Sequence, residues 1–129
     1  MRLLLDTHTL LWLDTDLSRL SPRARSLLRD RKNQVYVSAI TAWELSIKNR
    51  LGKLPSASSL LNSYHSSLAR YGFLALPLTS DHALAERTLS ADHKDPFDRA
   101  LVAQAAHEKL SLLSNDPLLA QFSEVQAVW

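Results

Sequence analysis

Two carboxylates open the stretch "HKDPFDRALVAQAAHEKL", Asp95 and Asp98, before it settles into an amphipathic helical pattern. A helix start needs one acceptor for its free N–H groups. Asp95 with Pro96 behind it fits that need, as an N-cap followed by proline at the first helical position. Asp98, one turn inward, is left without a capping duty, yet it shares a helix face with the cap. Three more acids fall where a strand has just ended or a helix begins: Asp6 closes "RLLLD", Glu44 follows "VYVSAIT" and Asp116 follows "LSLLSN". Carboxylates gathered at one edge repel each other unless a cation joins them. A ligand set made only of oxygen suits Mg²⁺ or Mn²⁺. Chemistry of that kind acts most often on phosphate esters.

Each acid also has a purely structural reading. Asp6 could cap "THTLLWL". Thr41 to Glu44, "TAWE", fits a capping box, and Asp116-Pro117 repeats the cap-then-proline pattern. Acids near helix N-termini gain ~0.3–1 kcal/mol from the macrodipole. Capping does not, however, require four helices to present anions across one sheet edge.

The elements that would gather them are short apolar runs alternating with helical patterns. Strands are expected over 2–6, 34–39, 73–78, 110–114 and 125–128. Helices are expected through "THTLLWL", over 41–51 and about 56–71, through "SDHALAERTLS" and from Asp95 onward. Ser21-Pro22 marks another helix start, and Gly52 and Gly72 stand where helices end. Strands separated by helices imply right-handed crossovers. The expected fold is α/β: one domain spanning residues 1–129, a three-layer α/β/α sandwich around a central, mostly parallel sheet. Ligands of such sheets bind at the carboxyl ends of the strands.

Composition narrows the function further. The 129 residues carry a net charge of +2 and no cysteine, which removes thiolate metal sites and fits a reducing, cytoplasmic setting. With only two glycines, both placed at helix ends, no phosphate-cradling glycine loop can be built. No apolar run reaches the ~18 residues of a membrane span. "MRLLLDTHTLLW" carries an acid inside its apolar run, so it is not expected to be a signal peptide.

The segments "LLLDTHTLLW", "SAITAWELSIKNRLGKL", "HKDPFDRALVAQA" and "LLSNDPLL" together resemble, in order and spacing, the PIN-domain ribonucleases. They look most like the VapC toxins of bacterial toxin–antitoxin pairs. The resemblance implies a PIN-like fold, Mg²⁺- or Mn²⁺-dependent cleavage of RNA, inhibition by a cognate antitoxin and a homodimer. Its acidic positions carry over to Asp6, Glu44, Asp98 and Asp116 as metal-holding and catalytic residues. Asp95 matches an additional acid of the "DPFDR" subgroup, either cap or outer support. Ser114 stands where related sequences commonly have threonine, and it keeps a hydroxyl.

Further residues have two readings each. His8 could touch substrate or orient a carboxylate, or it could simply be exposed. His93 also borders a motif acid, and without an HxxxH or HExxH spacing a zinc site is not expected. Lys48, one turn beyond Glu44, could attract phosphate, whereas Arg99 points elsewhere, toward an ion pair or the RNA backbone. The basic run at 19–32 reads as a solvated face. Trp43 is expected to be buried by its helix phase. Leu60, Leu61, Tyr64 and Leu68 form a stripe that is core, antitoxin groove or dimer surface. Two other functions compete. An aspartyl-nucleophile phosphatase would want a second acid where His8 stands, and a non-catalytic module binding RNA or a partner would have no use for clustered anions.

Overall fold

Leu3, Leu4 and Leu5 are fully buried because β1 (Arg2–Leu5) runs through the centre of the sheet with both faces covered. A computed structural model describes residues 1–129. β2 (Gln34–Ser38) and β4 (Ser111–Leu113) flank β1, pairing Leu4 with Tyr36 on one side and with Leu112 on the other. β3 (Leu74–Leu76) and β5 (Ala127–Val128) form the edges, and all five strands are parallel in the order β3-β2-β1-β4-β5.

Seven α-helices cover this sheet: α1 (Thr7–Thr15), α2 (Pro22–Arg29), α3 (Ala39–Arg50), α4 (Ser58–Asn62), α5 (Tyr64–Tyr71), α6 (Ser80–Ala85) and α7 (Pro96–Glu108). The period-2 alternation of strand side chains divides the core in two. Leu3, Leu5, Val35 and Val37 pack with residues of α1 to α5, while Leu4, Leu76 and Leu112 pack with α7. This is the three-layer α/β/α arrangement the alternating patterns imply. No helix is long and apolar enough to cross a membrane.

The expected strands are present but shorter, by one to three residues. Two expected helices are interrupted. The helix at 56–71 breaks at Ser63, whose backbone leaves helical angles (φ −126°, ψ 28°). Its hydroxyl donates to the Ser59 carbonyl at 3.1 Å, a competitor to the helical ladder in a serine-rich segment. Of the stripe there, Leu60 and Leu68 are buried and Leu61 and Tyr64 pack half-buried against the same core. The helix expected over "SDHALAERTLS" ends at Ala85 and tightens into a 3₁₀ turn over Glu86–Thr88. Ser21 caps α2 as expected, its hydroxyl accepting from Ala24 N–H at 2.9 Å, and Gly72 ends α5 at φ 75°.

Candidate active site

The carboxyl ends of β1, β2 and β4 meet the N-termini of α1, α3 and α7 at one edge of the sheet. Asp6 stands at the junction of β1 and α1, with 4% of its surface exposed. It occupies the N-cap position, but its side chain caps nothing. Oδ2 instead accepts a hydrogen bond of 2.7 Å from the Ser114 hydroxyl, just past β4. The backbone locks that pairing: Asp6 N–H and the Thr9 hydroxyl both donate to the Leu113 carbonyl, at 3.1 and 3.0 Å. Ser114 also accepts from Asp116 N–H at 3.1 Å. Asp116 is therefore tied to Asp6 through one hydroxyl, while its own carboxylate accepts from Leu118 N–H and starts the next turn.

Glu44 is freed by a correction to the expected helix start. α3 begins at Ala39, two residues earlier than expected, with Ser38 as its cap: the Ser38 hydroxyl accepts from Ile40 N–H at 3.0 Å and donates to the Gln104 side-chain oxygen. The Thr41–Glu44 capping box therefore does not form. Thr41 faces Thr7 across the site, hydroxyl to hydroxyl at 3.2 Å. Glu44, 2% exposed, pairs through Oε2 with Lys48 one turn on. Its other oxygen, Oε1, is buried with no hydrogen-bond partner in the protein. Such an orphaned group costs about 1–3 kcal/mol or more when charged.

On α7, Asp95 and Asp98 divide their work. Asp95 Oδ1 accepts from Phe97 N–H at 2.9 Å and from Asp98 N–H at 3.3 Å, so Asp95 is the cap. Asp98 caps nothing. Its Oδ2 lies 2.8 Å from His93 Nε2. Arg99 turns away from the acids into an ion pair with Glu86 and also donates to the carbonyls of Glu86, Ala91 and His93.

The charges show how near these groups are. Burial pushes the Asp98 carboxyl up to about 6, against the His93 hydrogen bond, and the charges of Asp95, Asp6 and Glu44 add to the rise. Burial likewise holds Asp6 above its ordinary range, partly offset by the Ser114 hydroxyl and the His8 charge, with Glu44 pushing upward. For Lys48, burial lowers the ammonium's pKa. The hydrogen bond to Glu44 and the charges of Glu44, Asp95 and Asp98 outweigh that, and the net shift is upward. Asp6, Glu44 and Asp98 thus share one electrostatic pocket, into which Lys48 reaches. No three carboxylates bring their oxygens within 4.8 Å of one another. That spacing fits a hard cation retaining several of its waters, and the unpartnered Glu44 oxygen fits an ion as its missing partner.

A tighter cluster lies elsewhere. His82, His107 and Glu108 place one ligand atom each within 4.8 Å of the others, ten residues or about 15 Å further along α7 from Asp98. Its one buried member, His82, is already engaged. His82 Nδ1 accepts from Thr79 N–H at 3.1 Å, completing the capping box of α6, which leaves Nε2 as the proton-bearing nitrogen facing Glu108 at 3.2 Å. That corner ties α6 to α7.

Trp43, expected to be buried, is 57% exposed and meets Phe97 edge-on, because α3 turns that side toward the start of α7 rather than into the sheet. His8 is exposed on α1, 5.8 Å from the Trp12 ring. The contribution of His93 was not legible in the sequence beyond its nearness to the "DPFDR" motif, since it reaches Asp98 from a loop.

The model of the PIN domain family matches residues 3–125, and the chain belongs to that family. Ribonuclease VapC16 of Mycobacterium tuberculosis (strain ATCC 25618 / H37Rv) is 37% identical over 59 residues, 46% of this chain and 40% of that protein. The match thus spans less than half of that relative's length. Among solved structures, VapBC2 from Rickettsia felis, bound to a DNA fragment from its promoter, is 14% identical with a TM-score of 0.69, covering 99% of this chain and 98% of the other. FitAcB from Neisseria gonorrhoeae is 22% identical with a TM-score of 0.68, covering 98% and 96%. These two likenesses establish the fold.

Proposed function

We propose that this chain is a metal-dependent endoribonuclease acting as the toxin of a toxin–antitoxin pair. The observation that carries the reading is the buried, unpartnered oxygen of Glu44, set beside Asp6 and Asp98 in one electrostatic pocket at the sheet's carboxyl edge. Asp6, Glu44 and Asp98 would hold Mg²⁺ or Mn²⁺ directly or through water, and Asp116 would complete the site or serve a second ion. When bound, such an ion polarises a phosphoryl oxygen and activates a water toward it. The protein's own residues supply placement and charge. Ser114 and the Leu113 carbonyl fix Asp6, the Thr7–Thr41 contact fixes α1 against α3, and Lys48 balances the acids where a phosphate would approach. His8, exposed beside Asp6, is open to substrate.

Membership of the PIN domain family and the relative named Ribonuclease VapC16 support RNA as substrate. A cytoplasmic location agrees with that substrate and with a cysteine-free chain. The VapBC2 neighbour supports assembly with a cognate antitoxin. An apolar cleft of about 370 Å³ between α1, α2 and α5 would receive it, with Leu13, Leu17, Leu28 and Phe73 in its walls. Arg25, whose Nε is buried without a partner there, would meet an acceptor on the antitoxin. The apolar face formed by exposed Trp43 and Leu78 beside half-buried Phe97 supports a homodimer.

Purified protein is expected to cleave RNA in Mg²⁺ or Mn²⁺ and to stop in EDTA, with transcript-end mapping locating the cuts. Undiminished cleavage in chelator would remove the metal from the mechanism. RNA binding without cleavage, in the presence of bound Mn²⁺, would instead favour a non-catalytic module.

A further inference from the structure

Asp98 stands on the first turn of α7, where a carboxylate without a capping duty has rotamer freedom to lose. The structure removes that freedom from outside the helix. His93 Nε2 lies 2.8 Å from Asp98 Oδ2, and both side chains are mostly covered, at 14% and 15% exposure. With Asp98 ionised, Nε2–H donates and one carboxylate oxygen is held, while Oδ1 makes no hydrogen bond within the protein. The imidazole is itself held. Its ring meets the buried ring of Phe122 edge-on with centroids 6.4 Å apart, and Arg99 Nη1 donates to the His93 carbonyl at 2.9 Å and to the Ala91 carbonyl at 2.7 Å. Arg99 in turn is anchored by Glu86 and lies over Phe122, 5.9 Å from its centroid. A chain of contacts thus runs from Glu86 through Arg99 and the 91–93 backbone to the carboxylate of Asp98.

We infer that His93 is a positioning residue, which orients the Asp98 carboxylate for the metal through its Nε2–H, with Arg99 holding the loop that presents it. The inference rests on the proposed metal-dependent reading of the site. A histidine used this way fixes ligand direction before the ion arrives, and outer supports of this kind typically contribute about 10–100-fold in metal affinity. It also assigns Arg99 a task in the site that is neither metal binding nor contact with RNA.

Mn²⁺ titration of the RNA-free protein, followed by the electron paramagnetic resonance of the free ion, tests this without relying on cleavage. His93→Phe keeps a ring against Phe122 and loses the donor. His93→Gln keeps a donor at nearly the same reach. The expected result is a Mn²⁺ dissociation constant raised roughly tenfold or more in His93→Phe and largely restored in His93→Gln, with unfolding temperatures confirming that both are folded. Cleavage should follow in the same order, with the Mg²⁺ requirement rising while KM for RNA holds. Wild-type Mn²⁺ affinity in folded His93→Phe would overturn the inference while leaving the metal site standing. So would a folded His93→Gln as weak as His93→Phe, because the donor would then not be what matters. If the wild-type protein bound no Mn²⁺, or Asp98→Asn bound it equally well, the metal reading itself would fail and the positioning role with it.

Discussion

The two ends of α7 each gather ionisable side chains into one corner, and the corners differ in what their buried members leave unsatisfied. At the far end, His82 accepts from Thr79 and faces Glu108, so its ring nitrogens are both engaged and α6 is fastened to α7. At the near end, Asp98 joins Asp6 and Glu44, and there one carboxylate oxygen is buried with no partner at all. By proximity alone the far corner is the better metal trap, since its three ligand atoms lie within 4.8 Å. Hydrogen-bond satisfaction reverses that ranking. A closed network stabilises a fold, whereas like charges gathered around an orphaned oxygen cost stability until something else arrives.

The contrast is most sharply tested by removing acids from the near end. Asp6→Asn is expected to lower RNA cleavage on the order of a hundredfold or more, with the metal-free melting temperature unchanged or raised, because a repelling charge is lost. A large loss of stability, seen by calorimetry, would make Asp6 a structural residue like those of the far corner. The reciprocal change, His82→Ala, should cost about 2 kcal/mol through the lost capping box and buried partners, or roughly 5–10 °C, while cleavage per folded molecule persists. Failure of Mn²⁺ binding in a folded His82→Ala would break the comparison.

Acid titration separates the corners next. The folded carboxyl of Asp98 sits at about 6 against an ordinary 3.8, so the folded state binds the extra proton and metal-free stability falls as pH rises across that window. Melting curves of wild type and Asp98→Asn should diverge in the variant's favour between pH 4 and 6, and saturating Mg²⁺ should close the gap. Parallel curves would show that Asp98 is not held in a repelling pocket. Lys48→Met is expected to cost about 1–3 kcal/mol in the metal-free protein, because it leaves the buried Glu44 carboxylate without its one partner. Added Mg²⁺ should then raise the melting temperature more than it does in wild type.

Much of this architecture could be read from residue order. Ser21-Pro22, Asp95-Pro96 and Gly72 mark helix ends through contacts a few residues long, and they do so whatever packs around them. The same local logic failed at Ser63, where neighbouring hydroxyls compete for the ladder, and at Trp43, whose exposure depends on which way α3 rolls against α7. Asp6, Glu44, Asp98 and Asp116 were legible as candidates because each stands where a strand has just ended or a helix begins. The Asp98–His93 contact was not, because a loop residue carries no periodicity from which its direction can be read.

What the chain alone determined is a set of apolar runs fit for a parallel sheet and a set of acids at their carboxyl ends, since both follow from side-chain periods and from capping chemistry. Only tertiary packing decided that Ser114 should hold Asp6 across 108 positions of sequence, that Ser38 should donate to Gln104 on α7, and that one oxygen of Glu44 should be buried alone. Those outcomes depend on how β1, β2 and β4 lie beside one another, and hydrogen bonds between distant residues exist only once that register is set.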